Sequence, residues 1–171
     1  MKLALAPMQD VTDLAFMRTL HRIGSLPDVF ITAYFRSTST TCAMAEHNLR
    51  CIDENETGVP IWAQLAGSDT PALLRDATAL LERPGVAGSN LNAGCPSPLV
   101  NRHGAGAGLP RNLPRFADMM QQLRANLPAG QFSVKCRLGW EDAAADFPRI
   151  LDCLAAAEPD EVGIHARTRK Q

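Results

Sequence analysis

Asn92-Ala93-Gly94-Cys95-Pro96 is the stretch on which the reading of this sequence turns. It closes a short apolar run, Val86 to Leu91, with the length and composition of a buried strand. Gly94 lets the backbone turn or approach a ligand closely. Pro96 fixes φ just after the thiol and blocks further ladder pairing. An amide, a flexible glycine and a thiol are thus delivered to one strand end. A free cysteine in such a place is either a small buried hydrophobe or a reactive thiol, and the polarity of its surroundings decides which.

Working outward, strands and helices alternate. Upstream, Val59 to Leu65 reads as a strand running into Gln64-Leu65-Ala66-Gly67. Thr70 then caps a helix with Pro71 in its first turn, buried through Leu73, Leu74, Ala77, Leu80 and Leu81. At the start of the chain, Leu3 to Ala6 is a strand stopped by Pro7. Thr12 caps a helix with Asp13 in its first turn, an apolar stripe through Leu14, Met17 and Leu20, and a stop at Gly24. Val29 to Tyr34, rich in β-branched and aromatic residues, is a second strand. Residues 36–59 are less regular, with a hydroxyl run from Ser37 to Thr41, a short helix over Thr41 to Asn48 and an acidic turn at Asp53 to Glu56.

Downstream, Ser97 to Pro110 reads as a long loop carrying Gly104, Gly106 and Gly108. Pro114 begins a helix buried through Phe116, Met119, Met120 and Leu123. Phe132 to Gly139 is a fifth strand, Asp142 to Ala157 a helix carrying Phe147, Ile150, Leu151 and Leu154, and Val162 to His165 a sixth strand. Apolar strands alternating with helices imply an α/β fold with a parallel sheet covered by helices. In such folds the carboxyl ends of the strands carry the site. Polar residues collect there: Gln64, Asn92 with Cys95, Lys135 with Arg137, and His165 with Arg167. Each alone reads as structural: a satisfied core amide, a solvated sheet face, a packed histidine. Their recurrence at four strand ends favours a site.

Composition narrows the function classes. The 171 residues are 46% hydrophobic and 20% charged, which suits one folded domain. A formal net charge of −1 argues against a charge-driven nucleic-acid binder, though not against a local basic patch. The five cysteines, Cys42, Cys51, Cys95, Cys136 and Cys153, are scattered and contain no Cys-x-x-Cys pair. Neither a zinc ribbon nor a thioredoxin-like site is indicated, and no metal is expected. An odd, unpaired set fits a reducing, cytoplasmic location. The apolar run at the start is too short for a signal peptide, and none approaches the ~20 residues of a membrane span.

The phrases Ala6-Pro7-Met8 with Val11-Thr12-Asp13, Gln64-Leu65-Ala66-Gly67, Asn92-Ala93-Gly94-Cys95-Pro96-Ser97, Val134-Lys135-Cys136-Arg137-Leu138-Gly139 and His165-Ala166-Arg167-Thr168 occur in that order. Together they make the chain resemble the tRNA-dihydrouridine synthases across nearly its whole length. Ile31 to Arg36, Ser97 to Asn101 and Lys135 to Trp140 are most similar to the bacterial C-type subgroup. The resemblance implies a TIM (β/α)8 barrel followed by a small helical tRNA-binding domain. It implies FMN, reduced by NADPH, as cofactor, and reduction of the C5–C6 double bond of particular tRNA uridines. Cys95 would be the general acid that protonates C5. A thiol suits this because an unperturbed one is mostly protonated near pH 7, with a pKa of roughly 8.5. Pro7, Met8, Gln64, Lys135 and His165 would contact the flavin. Lys135 would stabilise the negative charge of its reduced N1–C2=O edge. Asn92, Arg137 and Arg167 would bind substrate, with Arg102, Arg111, Arg169 and Lys170 near enough to the strand ends to hold phosphates.

Two departures qualify the resemblance. The family usually has Asp where this chain has Asn90, and a full barrel takes about 250 residues where six strand–helix units are counted here. Residues 1–171 are therefore expected to form the N-terminal portion of the catalytic barrel, without its last strands and helical domain, and to bind FMN weakly or not at all in isolation. Two alternatives stand beside this reading: a related flavin barrel acting on free pyrimidines, and a non-catalytic truncated remnant that binds RNA or a partner chain.

Overall fold

The structure is a computed structural model and describes residues 1–40 and 44–171. The strands are β1 (Ala4–Leu5), β2 (Val29–Ile31), β3 (Phe35–Arg36), β4 (Ile61–Ala66), β5 (Val86–Ala93), β6 (Phe132–Arg137) and β7 (Glu161–His165). The helices are α1 (Leu14–Arg22), α2 (Glu46–Asp53), α3 (Thr70–Leu81), α4 (Pro98–Asn101), α5 (Leu113–Asn126) and α6 (Ala143–Ala157). Every strand pairing is parallel, and the order β1-β2-β4-β5-β6-β7 follows the chain, with β3 also pairing β4. A parallel sheet that grows in one direction, with helices between its strands, is the construction of an incomplete TIM barrel. The sheet curves far enough for a side chain to bridge its two edges, Lys2 Nζ before β1 ion-pairing with Glu161 Oε1 on β7.

The central strands alternate rather than running uniformly apolar. Ile61, Ala63 and Leu65 of β4, Leu91 and Ala93 of β5, and Phe132, Val134 and Cys136 of β6 join the helix-packed core. There they meet Leu73, Ala77 and Leu80 of α3, Phe116, Met119, Met120 and Leu123 of α5, and Ile150 and Leu154 of α6. Burying each large side chain of this set stabilises the fold by roughly 1.5–3 kcal/mol. The intervening residues Trp62, Gln64, Asn90, Asn92, Ser133, Lys135 and Arg137 line the concave side. Side chains at period two thus separate a polar interior from an apolar helix-facing layer.

Several local expectations are corrected. The second strand does not run from Val29 to Tyr34, because it breaks after Ile31. Phe30 pairs Ile61 while Phe35 pairs Leu65, so one extra residue is inserted on this side, as in a β-bulge. The Thr32 hydroxyl takes over there, accepting from Gln64 N at 3.1 Å. Asp13, not Thr12, caps α1, accepting from Phe16 N, because the Thr12 hydroxyl is held against the Met8 backbone. Asp69, not Thr70, caps α3 through Ala72 N. The loop after β5 is not irregular: it holds α4 and a 3₁₀ turn, Gly106–Arg111.

The helix expected over Thr41 to Asn48 starts at Glu46 instead, and Thr41, Cys42 and Ala43 lie outside the described residues. Leu151 of α6 faces solvent rather than the core, at 40% exposure. β7 is exposed at every residue, being the sheet's edge.

Candidate active site

The carboxyl ends of the strands open into one cavity of about 590 Å³. Pro7 and Met8, Gln64, Asn92 and Cys95, Lys135 and Arg137, and His165 all line it. Eight of the nine residues singled out from the sequence are therefore brought together. The ninth, Arg167, lies outside the lining, but close enough that its charge helps depress the pKa values of Arg137 and His165.

The cysteine turn is held from three sides. Gly94 N and Cys95 N both donate to Asn92 Oδ1, at 3.1 and 2.8 Å. Arg137 Nε donates to Gly94 O at 2.7 Å, and Arg137 Nη1 reaches Thr168 O at 3.0 Å, tying the turn to the loop after β7. Ala107 N donates to Cys95 O at 3.0 Å. This last contact needs glycine at 106, where φ is +58° and a Cβ would stand 2.8 Å from Cys95 O. The half-buried Cys95 side chain is left facing the cavity.

Beneath the turn runs a chain of amides. Asn92 Nδ2 donates to Gln64 Oε1 at 2.9 Å, Gln64 Nε2 to Asn90 Oδ1 at 2.7 Å, and Asn90 Nδ2 to Ser133 Oγ at 2.7 Å. Gln64, Asn90 and Ser133 are 1%, 3% and 4% exposed, so these bonds have no competition from water. The backbone N–H groups of the cysteine turn fix which way Asn92 faces, and each amide then orients the next. Asn92 Oδ1 accepts two bonds and Gln64 Oε1 one. Each amide keeps one N–H to offer to the cavity, and Gln64 Oε1 keeps one lone pair.

The charges at the mouth have the opposite character. Among the described residues, the Lys135 ammonium has neither a hydrogen-bond acceptor nor a carboxylate partner. Burial first, and then the Arg137 guanidinium, holds its pKa below the usual lysine value. Burial and then Arg167 lower that of Arg137. Loss of hydration, then Arg137, Lys135 and Arg167, push His165 below the ordinary imidazole value, so it is neutral near pH 7. A cavity with two cations, a neutral imidazole and amide N–H groups favours an electron-rich, carbonyl-bearing ligand that gains negative charge. Cys136, between Lys135 and Arg137 in sequence, faces the core instead, and burial pushes its thiol up to about 11.

Reading from sequence missed Ser133 and Thr32, which complete the amide chain and the bulge, and Ala33 and Tyr34, which the bulge turns into the cavity lining. Ser133 carried a signal, since it continues the inward parity of Lys135 and Arg137. Tyr34 carried none, because its position depends on the inserted residue. No group of three or more His, Cys, Asp or Glu among the described residues is placed to hold a metal, and no helix there is long and apolar enough to cross a membrane.

Known proteins similar to this chain are of one kind. The tRNA-dihydrouridine(16) synthase of Vibrio cholerae serotype O1 is 32% identical over 177 residues, covering 99% of this chain and 53% of that protein. Its namesake in Neisseria meningitidis serogroup A is 35% identical over 179 residues, covering 99% and 52%. A probable tRNA-dihydrouridine synthase of Staphylococcus aureus (strain COL) is 32% identical over 169 residues, covering 98% and 50%. The chain thus spans about half the length of the curated relatives it matches. The sequence model of the family described as Dihydrouridine synthase (Dus) matches residues 4–171, and the chain belongs to that family.

Proposed function

We propose that the protein reduces uridines of tRNA to 5,6-dihydrouridine, with FMN as its redox cofactor and NADPH as reductant, in the cytoplasm. The observation that carries this reading is the convergence of Gln64, Asn92, Cys95, Lys135, Arg137 and His165 on one cavity. Its size, about 590 Å³, falls in the range of small-molecule and cofactor sites. The donor set also fits a flavin ring: Lys135 without an acceptor, a Gln64 N–H pointing away from its internal partners, and neutral His165 offer complementary groups to ring carbonyls and nitrogens. Pro7 and Met8 supply an apolar wall. When bound, FMN supplies the hydride that uracil C6 accepts.

The chain's own residues do the rest. Cys95 holds a proton at Sγ and delivers it to uracil C5 from its turn, which Asn92, Arg137 and Ala107 hold in place. Lys135 stabilises negative charge as it develops, and needs no rearrangement because nothing else binds it. Arg137 keeps N–H donors beyond its two backbone bonds, and Asn92 keeps one, so both can hydrogen-bond uracil carbonyls. A uracil must leave the base stack to enter such a cavity, so the target is a flipped or loop nucleotide. Net addition of one hydride and one proton yields the 5,6-dihydro product.

The test is nucleoside analysis of tRNA incubated with the intact protein, FMN and NADPH. Dihydrouridine is expected to appear, and position 16, named for the Vibrio and Neisseria relatives, is the first to map. Unmodified tRNA together with reduction of free uracil or uridine would overturn the proposal.

A further inference from the structure

Beside the cavity, two arginines stack on one indole. The guanidinium carbon of Arg111 lies 4.4 Å from the Trp140 ring centroid, and that of Arg169 lies 4.8 Å from it. Arg149 of α6 lines the same open depression as Arg111 and Trp140, with a volume of about 410 Å³. The loops are braced to hold this arrangement. Arg169 N donates to Gly139 O at 2.9 Å, Lys170 N to Trp140 O at 3.1 Å, and Trp140 N to Asp146 Oδ2 at 2.7 Å.

Stacking on an aromatic face immobilises a guanidinium while leaving its in-plane donors available. The ion pairs among the described residues use Lys2, Arg18, Arg50, Arg75, Arg83, Arg124 and Lys170, and none uses Arg111, Arg149 or Arg169. Arg169 Nε is moreover buried with no hydrogen-bond partner, a desolvation cost that a nearby anion would offset. The first turns of α5 and α6 also border the depression, through Leu113, Pro114 and Asp146, and their dipoles add positive potential. The opposing charge in the lining is Asp146, whose Oδ2 is taken by Trp140 N and Glu141 N. Glu141 is exposed and paired with Lys170 at 3.7 Å.

We propose that Arg111 and Arg169, stacked on Trp140, and Arg149, which lines the depression beside them, form a phosphate-binding site that grips the sugar–phosphate strand of the RNA substrate while its target base occupies the cavity. The proposal rests on the tRNA reading above and adds a place to it. Trp140 stands three residues beyond Arg137, and Arg169 follows Thr168, whose carbonyl Arg137 holds, so the site and the cavity share one rim. Contacts of this kind set position and orientation and carry no base preference.

A second phosphate source is NADPH, and the experiment separates the two. In the intact protein, the Arg111→Gln/Arg169→Gln pair and Arg149→Gln are compared with wild type for tRNA affinity against salt, for KM of tRNA and of NADPH, and for kcat. The double variant is expected to raise Kd and KM for tRNA about tenfold with kcat within about twofold. The slope of log K against log salt should fall by about 1.5–2, as lost phosphate contacts require. The KM for NADPH and the rate of flavin reduction should not move. Arg111→Lys/Arg169→Lys, which keeps the charge and loses the planar stack, should recover the salt slope and only part of the affinity. An unchanged tRNA slope in folded variants, or a rise confined to the KM for NADPH, would overturn the phosphate-strand site. A wild-type protein that neither binds nor reduces tRNA would instead remove the parent reading.

Discussion

The inner faces of β4, β5 and β6 carry two kinds of polar residue at two depths. At the lower level, Gln64, Asn90 and Ser133 share one rung of the sheet and are neutral, buried and hydrogen-bonded in a chain that ends on Asn92, which pairs in register with Lys135. At the mouth, Lys135 and Arg137 are charged and leave donors unused. The difference follows from solvation. A buried neutral amide is tolerated when its partners are satisfied, whereas an unpartnered charge is tolerated only where water or a ligand can reach it. The lower level therefore shapes the site, and the mouth acts on what enters it. Cys95 sits where the two meet, its turn held by Asn92 from below and Arg137 from above.

The strongest way to sharpen this division is Cys95→Ala in the intact protein. Loss of the proton donor should slow uridine reduction by about 10²–10⁴-fold while NADPH still reduces the flavin at the wild-type rate, as stopped-flow and product assays would show. Cys136→Ala, removing a thiol that burial holds at about 11 in the core, should leave both rates intact. If the two variants behave alike, the proton-donor role of Cys95 is wrong.

At the lower level, Asn90→Leu leaves Gln64 Nε2 without its acceptor and Ser133 Oγ with only its long bond to Ser89 O, at 3.4 Å. An orphaned buried group costs about 1–3 kcal/mol, so denaturant unfolding should show a loss of that order. Asn90→Asp should lose less, since it still accepts from Gln64 and lets the Ser133 hydroxyl turn round and donate. Equal stability of Asn90→Leu and wild type would mean the amide chain contributes nothing. At the mouth, Lys135→Met should weaken flavin retention about tenfold with little change in unfolding midpoint, one charge–dipole contact being worth ~1.4 kcal/mol at that factor. A large stability loss instead would place Lys135 with the structural level.

The smallest effect expected concerns pH. The folded-state pKa of His165 lies below its unfolded value, so the stability tied to it is complete above the unfolded value of about 6.5. That stability is lost as pH falls through the folded value, where the protonated ring joins Arg137, Lys135 and Arg167. Thermal midpoints between pH 7 and 5 should fall slightly further for wild type than for His165→Gln. Because His165 is exposed, water screens most of the effect. Parallel pH profiles would show that the cations at the mouth do not act on His165.

Local chemistry made much of this molecule legible in its sequence. Apolar runs bounded by Pro, Gly and Asx residues mark β4, β5 and β6, and apolar stripes at helical spacing mark α3 and α5, because those signals lie within a dozen residues. The strand ends were legible for the same reason, and with them eight of the nine site residues that now share a cavity. The caps at Asp13 and Asp69 lie one residue away from the threonines the sequence favours, since two neighbouring cap-forming side chains compete; at α1 the fold holds the Thr12 hydroxyl against Met8.

What the tertiary structure alone decided spans greater distances. The bulge between β2 and β3 exists only relative to β4, and it is what places Tyr34 in the cavity lining. Gln64, Asn90 and Ser133 lie 26 and 43 residues apart along the chain and become one hydrogen-bonded unit only when parallel strands align them. Arg111, Trp140 and Arg169 likewise meet only after three separate loops close on one rim. Residue type and spacing determine strands, helices and the chemistry available at each strand end. Which of those groups satisfy one another, and which are left free to act, is set by the sheet that brings them together.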